Sequence, residues 1–317
     1  MDAADGLADI PEAVPASPRL RQVEILVNSR AGHAGPGAVA ELERIAADFG
    51  LACKIRAPEP DELWAELRRA VDAAPDLLVV VAGDGTARAA ASLCGADGPL
   101  LAPLAGGTMN MLPHALYGPG DWGPALADAL QSGVETPVSG GEVDGERFYV
   151  AAILGAPALW AEAREAARMR ELYLAWRMSR HAWRRCFSHR IRFSLDKRPE
   201  VKTLALTLMC PLVSKAMNDD ERALEAAILD PRGITDALRL GARTALGRIA
   251  GDWRSDSSVK VTRCREGVVW SGAGHLRAVL DGEPTRLHRR SEIRFLPVAF
   301  RALAPRNRPG ASVLPAA

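Results

Sequence analysis

The run Leu77-Leu-Val-Val-Val-Ala82 ends in Gly83-Asp84-Gly85-Thr86 and passes into Ala87-Arg-Ala-Ala-Ala-Ser-Leu-Cys94. A short, continuous, partly β-branched apolar run cut off by glycines predicts a buried parallel strand, a tight turn and a helix start. Gly83 and Gly85 let the backbone approach a ligand without a Cβ in the way. Thr86 is an N-cap or phosphate contact, because the free N–H groups of a helix start favour anions. Asp84 is the unusual member. A carboxylate among phosphate-friendly N–H groups is repulsive unless it holds a metal ion or handles a proton, so it points to Mg²⁺-nucleotide chemistry. Taken alone, the same residues read equally as an ordinary strand–helix turn with a capping aspartate.

The chain around this run has room for two cores, at 317 residues. Its 48% apolar and 25% charged content is that of a soluble globular protein, and a net charge of +1 excludes a globally basic nucleic-acid binder. Cys53, Cys94, Cys186, Cys210 and Cys264 are widely spaced and form no CxxC pair, which suits buried thiols in a reducing compartment. No segment reaches the roughly 18 continuous apolar residues of a membrane span, and the N-terminus lacks a basic-then-apolar leader. A cytoplasmic protein is expected, with any membrane contact peripheral. The six histidines lack zinc spacing, and no serine sits in a nucleophile elbow.

Upstream, Val23 to Val27 predicts a strand that runs into Asn28-Ser29-Arg30-Ala31-Gly32, a loop of turn formers with one cation. Val39 to Phe49 has helical spacing, with Gly50 as its C-cap. Cys53 to Arg56 predicts a second strand, and Asp61 to Ala73 a second helix opened by Asp61 after Pro60. This β-α-β-α-β-α alternation predicts a three-layer parallel α/β domain with ligands outside the carboxyl ends of its strands. A second glycine loop, Ala105-Gly106-Gly107-Thr108-Met109-Asn110, follows the strand-like Pro99 to Leu104. Loops at the ends of three strands converge on one rim, which favours a nucleotide pocket. The dinucleotide fingerprint fits poorly, because Arg88 stands where a small residue is needed.

In order, Asn28-Ser-Arg-Ala-Gly32, Gly83-Asp-Gly-Thr86, Gly106-Gly-Thr-Met-Asn110 and Leu280-Asp281-Gly282-Glu283 resemble the diacylglycerol kinase catalytic-domain family. These are bacterial lipid kinases related to the sphingosine and ceramide kinases. The resemblance runs from about Val23 to Pro305. It implies an α/β nucleotide-binding domain, a β-rich, β-sandwich-like second domain and an active site in the cleft between them. It also implies ATP-dependent, Mg²⁺-assisted phosphorylation of a lipid hydroxyl. Three positions depart from the family's pattern: Ala82 replaces a glycine, Ser29 replaces a proline, and Ala105 with an extra Gly106 precedes Gly107-Thr108. None removes a ligand or a charge.

Phosphoryl transfer needs a positioned phosphate, neutralised charge and an oriented acceptor hydroxyl. The expected nucleotide-binding set is Asn28, Ser29, Arg30, Gly32, Gly83, Gly85, Thr86, Gly106, Gly107, Thr108 and Asn110. Asp84 is expected nearest the metal and γ-phosphate. Asp281 and Glu283 would share a face on a straight strand but diverge if Gly282 makes a tight turn. Without the upstream loops they read as a common Asp-Gly hairpin turn. By resemblance Asp281 is the candidate general base and Glu283 supports metal or nucleotide. The Asn218-Asp-Asp-Glu221 run loosely matches a place where relatives carry an aspartate near a structural metal. Asp220 is therefore a metal candidate beside the alternative of a solvated turn.

The domain plan is a disordered tail over 1–19, an α/β domain over 20–140 completed by a returning strand at about 298–305, a β-rich lipid-substrate domain over 141–297, and a second tail over 306–317. A helix from Ala125 to Ser132 closes the first domain, and Val143 to Phe148 is expected to be a crossover. Strands are expected over 148–154, 190–195, 202–209 and 223–229, with Val259–Cys264 pairing to Gly267–Trp270, and a helix over 234–249. A helical region over 159–186 carries seven arginines with Trp and Leu among them. Such a helix is either an ordinary solvated face or one that lies on an anionic membrane surface, at its inner face here. The leading function is a lipid kinase. Rivals are a soluble-substrate kinase of the NAD kinase type and a non-catalytic nucleotide- or membrane-binding protein.

Overall fold

The computed structural model of the chain describes residues 18–28, 31–32, 34–35, 37–155, 190–214, 222–229 and 259–305. Ser29, Arg30, Asp220, the expected helices at 159–186 and 234–249, and nearly all of both expected tails lie outside the described residues.

The first part alternates β1 (Val23–Val27), α1 (Ala38–Asp48), β2 (Cys53–Arg56), α2 (Leu63–Asp72), β3 (Leu77–Ala82), α3 (Asp84–Cys94) and β4 (Leu100–Ala105). β1, β3 and β4 are buried along their whole lengths, which is why they read as unbroken apolar runs. All four strands pair in parallel, in the order β4-β3-β1-β2. Two cores lie on the two faces of this sheet. On one, α1 (Leu42, Ile45) and α5 (Trp122–Ser132) pack with Val79 and Val81. On the other, α2 (Leu67, Ala70), α3 and α4 (Met111–Tyr117) pack with Leu78 and Val80. The result is three layers. α1 ends as its sequence predicts: Gly50 takes a φ of +61°, its N–H donates to Ala47 O, and Leu51 N–H reaches Ala46 O. α2 starts at Leu63, two residues later than Asp61 suggests.

The second part is strand-built among the described residues. β5 (Gly133–Val143) and β6 (Glu146–Phe148) form a hairpin over Asp144 and Gly145, whose φ values of 59° and 82° suit a type I′ turn. The segment expected as a crossover is therefore a hairpin. β7 (Ala151–Gly155), β8 (Ile191–Leu195), β9 (Val201–Thr203), β10 (Ala205–Met209), β11 (Leu224–Leu229) and β12 (Val259–Cys264) follow. β13 (Glu266–Leu280) and β14 (Glu283–Pro305) complete the set. β12 pairs with β11, while β13 pairs with β14, β7 and β8, so the expected β12–β13 ladder is corrected. A separate core of Phe148, Leu154, Phe193, Leu206 and Leu280 fills this part.

β14 joins the two. Its first half pairs with β13 and its second half with β5, and Ala302 pairs in parallel with Leu101 of β4. The register against β5 shifts between Leu296 and Phe300. Among the described residues, one hydrogen-bonded sheet of 14 strands thus runs through the molecule. Cys53, Cys94, Cys210 and Cys264 are free thiols.

Candidate active site

The glycine loops meet backbone to backbone. A methyl group at Gly107 would lie 2.5 Å from Gly83 Cα, and one at Gly106 would lie 2.7 Å from Ala82 N. Only residues without a Cβ fit there. Gly106 N–H donates to Ala82 O at 3.0 Å. Asn110 sits at φ 51° and locks its own loop: its Oδ1 accepts from Gly107 N–H (2.7 Å) and its Nδ2 donates to Gly107 O (2.9 Å). Thr108 is exposed beside it. The first loop joins the same rim, since Asn28 N–H donates to Val81 O at 2.9 Å; Gly32 has open space around it.

Asp84 is the first residue of α3, and its Oδ1 accepts the N–H of Met111 at 2.6 Å, capping α4. Partial burial raises its carboxyl above the usual range, against backbone N–H groups of Met111, Leu112 and Asn110 that favour the charge.

Between β13 and β14 lies a two-residue turn, with Asp281 at φ 47° and Gly282 at φ 89°. The sequence reads the Asp-Gly pair as either hairpin turn or functional carboxylate. The turn is real, and it sends the two carboxylates apart. Asp281 points inward and is 2% exposed. Its Oδ2 accepts from Tyr149 N–H (2.8 Å), and its Oδ1 accepts from Val150 N–H (2.8 Å) and Ala151 N–H (3.0 Å). Burial pushes this carboxyl up to about 6; the three N–H donors and the charge of Arg88 hold it from rising further. Glu283 points the other way. A methyl group at Gly85 would lie 3.7 Å from Glu283 Oε1, and one at Gly282 would lie 3.5 Å from Met111 Sδ. The late carboxylate turn therefore stands over the glycine rim.

A cleft of about 580 Å³ opens at this contact, with Gly85, Thr86, Arg88, Glu283 and Trp64 on its walls. Among the expected site residues, Gly85, Thr86 and Glu283 line it directly. Gly83, Gly106, Gly107 and Asn110 shape the rim behind them. Sequence reasoning missed Arg88, Glu146, Arg147 and Ser92, which also line it. Arg88 had a readable signal: it follows Asp84 by four residues, hence shares its helix face. The β5–β6 residues had none, since only tertiary pairing brings them here. Tyr149 OH shares a 2.8 Å hydrogen bond with Ser92 Oγ, and its ring meets Phe300 edge-on at 5.1 Å.

Among the described residues no cluster of three His, Cys, Asp or Glu side chains forms a ready metal cage. No helix among them is long and apolar enough to cross a membrane.

No curated protein matches the sequence. Solved structures from Bacillus anthracis str. Sterne share the fold. One, described as a diacylglycerol kinase, aligns with a TM-score of 0.65 at 14% identity, covering 92% of this chain and 99% of its own. A second, described as a candidate diacylglycerol kinase, gives 0.69 at 15%, with 92% and 99% covered. A third, also a candidate, gives 0.65 at 16%, with 91% and 98% covered. The sequence model described as "Diacylglycerol kinase catalytic domain" matches residues 22–143, the stretch that holds three of the four motifs. Over those residues the chain is similar to the diacylglycerol kinase catalytic-domain family.

Proposed function

We propose that the protein is an ATP-dependent lipid kinase, transferring the γ-phosphate to a hydroxyl of a diacylglycerol, sphingoid or ceramide acceptor. The observation that carries this reading is the approach of the Asp281-Gly282-Glu283 turn to the first turn of α3, at Gly85. It brings two widely separated motifs to one cleft, as a two-part phosphotransferase site requires. The parts flanking it are residues 20–140 with 298–305, and residues 141–297.

Backbone N–H groups near Gly32, Gly83, Gly85 and Gly107 cradle phosphates, with Asn28, Ser29, Arg30, Thr86, Thr108 and Asn110 around them. The acceptor hydroxyl oxygen attacks the γ-phosphorus, and the bond from that phosphorus to the β,γ-bridging oxygen breaks. The hydroxyl proton passes to Asp281 and ADP departs. Asp281 Oδ2 accepts a single N–H and so keeps a lone pair, and a carboxyl raised to about 6 is a better base near neutrality than an ordinary aspartate.

Magnesium suits the donor set. Asp84 opens α3 and Glu283 stands beside Gly85, and the ion needs only one or two carboxylates when phosphate oxygens complete its shell. Bound there, it would neutralise charge on the transferring phosphoryl group. Asp220 would belong to a separate structural site. The arginine-rich region 159–186 would bring the cleft to an anionic membrane surface at its cytoplasmic face.

A second reading of the base is favoured by one observation. Asp281 is enclosed with both oxygens engaged, whereas Asp84 is only partly buried and is also raised. In that reading Asp281 is a strut and Asp84 takes the proton.

Incubating the protein with labelled ATP, Mg²⁺ and a panel of diacylglycerol, sphingoid and ceramide lipids tests the proposal. Label in at least one lipid is expected. Nucleotide binding without transfer to any lipid would leave the soluble-substrate kinase or the nucleotide-sensing rival standing instead.

A further inference from the structure

Arg88 lies one turn into α3 beyond Asp84 and lines the cleft beside Gly85 and Thr86. Its Nη1 is buried and has no hydrogen-bond partner among the described residues. Its Nη2 is 3.8 Å from Glu146 Oε2, which is beyond hydrogen-bonding length. A guanidinium is costly to desolvate, and a buried donor without an acceptor is destabilising. The neighbouring Ala87, Ala89, Ala90 and Ala91 of this helix fill the core, and nothing in their packing asks for arginine at this position. The missing acceptor therefore belongs to a ligand.

The cleft narrows which ligand. A planar guanidinium fork matches the oxygens of a phosphate. Glu146 and Glu283 on neighbouring walls repel a small free anion, so the phosphate must be held by the rest of a larger molecule. Leu63, Trp64 and Leu67 add apolar lining to the same cleft, and Trp64 is 56% exposed. An aromatic base fits such a lining. A molecule that carries both a flat ring and a phosphate chain matches this mixed lining.

We propose that Arg88 is a phosphate-contacting residue: when nucleotide enters, its guanidinium turns from Glu146 to an oxygen of the terminal phosphate. This assignment rests on the kinase reading above. A phospholipid could offer the same oxyanion, and the test separates the two sources.

Binding of adenosine, ADP and the imido-bridged ATP analogue, each with Mg²⁺, is measured by calorimetry for the full-length wild type, Arg88→Gln, Arg88→Lys and Glu146→Gln. Mixed micelles containing phosphatidylglycerol form a parallel arm, and melting temperatures report folding. Arg88→Gln is expected to weaken the ATP analogue at least tenfold while adenosine is unchanged. Arg88→Lys should recover part of the loss, and Glu146→Gln should bind the analogue as tightly as wild type or tighter. Equal analogue affinity in wild type and Arg88→Gln would overturn the assignment alone and leave Arg88 as a structural partner of Glu146. An equal loss for adenosine would also overturn it, as would a loss confined to the phosphatidylglycerol micelles, which would move the oxyanion to a lipid. Absence of nucleotide binding by the wild type would remove the kinase reading, and the Arg88 assignment with it.

Discussion

Glu283 stands over Gly85: a side-chain methyl at Gly85 would come within 3.7 Å of Glu283 Oε1, although 198 positions separate the two in the chain. That separation is closed by β14, which begins at Glu283 in one part of the sheet and ends beside β4 in the other. The carboxylate has no side-chain hydrogen bond or ion pair among the described residues, so it is available to a ligand. Glu283→Gln is expected to lower kcat in the lipid-kinase assay by tenfold or more and to shift the melting temperature by less than about 2 °C, as an exposed substitution does. Unchanged kcat would place the site elsewhere.

The two glycine loops should respond differently to one added methyl. At Gly107 the new carbon would sit 2.5 Å from backbone at Gly83, so the loops must separate. Gly107→Ala is expected to destabilise by about 1–3 kcal/mol, measured by urea unfolding. Gly85→Ala meets only ordinary contacts and should stay within about 1 kcal/mol of wild type. Equal effects at both positions would contradict the packing described for the rim.

An acid limb is expected with Asp281 as the proposed base. Its carboxyl must be ionised to accept a proton, and burial holds it at about 6. kcat/KM should therefore fall about tenfold per pH unit below pH 6 and level off above it. A limb near the ordinary aspartate value of 3.8 would assign the proton to another group. The effect on stability runs the opposite way. Because the folded value lies above the unfolded one, this group's contribution is complete below pH 3.8. It is lost as pH rises through about 6. Asp281→Asn should abolish transfer with nucleotide affinity near normal. If transfer survives that change and is lost in Asp84→Asn, Asp84 is the base and Asp281 the strut.

Tyr149 supports the floor behind Asp281. Tyr149→Phe removes the bond to Ser92 Oγ but keeps the edge contact with Phe300, and should cost about 0.5–1.5 kcal/mol. Combining it with Ser92→Ala should cost less than the sum, since both changes break one bond. Strict additivity in the unfolding free energies would rule out that bond.

Much of the first part was legible because its constraints are local. β1, β3 and β4 are buried on both faces, so their sequences are plain apolar runs, and Gly50 had to follow α1 because its φ is positive. The second part was harder to read. Its strands find their partners by tertiary pairing, which no local pattern encodes, so adjacency in sequence suggests β13 for β12 where the structure pairs it with β11. The 143–148 hairpin was missed although Asp144-Gly145 is a hairpin signal in its own right. At the site, the glycines announced themselves by spacing. Arg88 carried only its i+4 spacing from Asp84, and the β5–β6 residues carried no signal, because their meaning comes from neighbours distant in the chain.

The passage of β14 through both parts of the sheet bears on how the cleft can open and shut. Two bodies linked by a loose tether would swing apart freely, but here a single strand is stitched into both, and any separation must bend it. Such bending is expected first in the interval between Leu296 and Phe300, where regular pairing with β5 lapses and Val298 is exposed. Opening of the crevice would thus be a flexure of a spring rather than the turning of a hinge, with its restoring force built into the sheet.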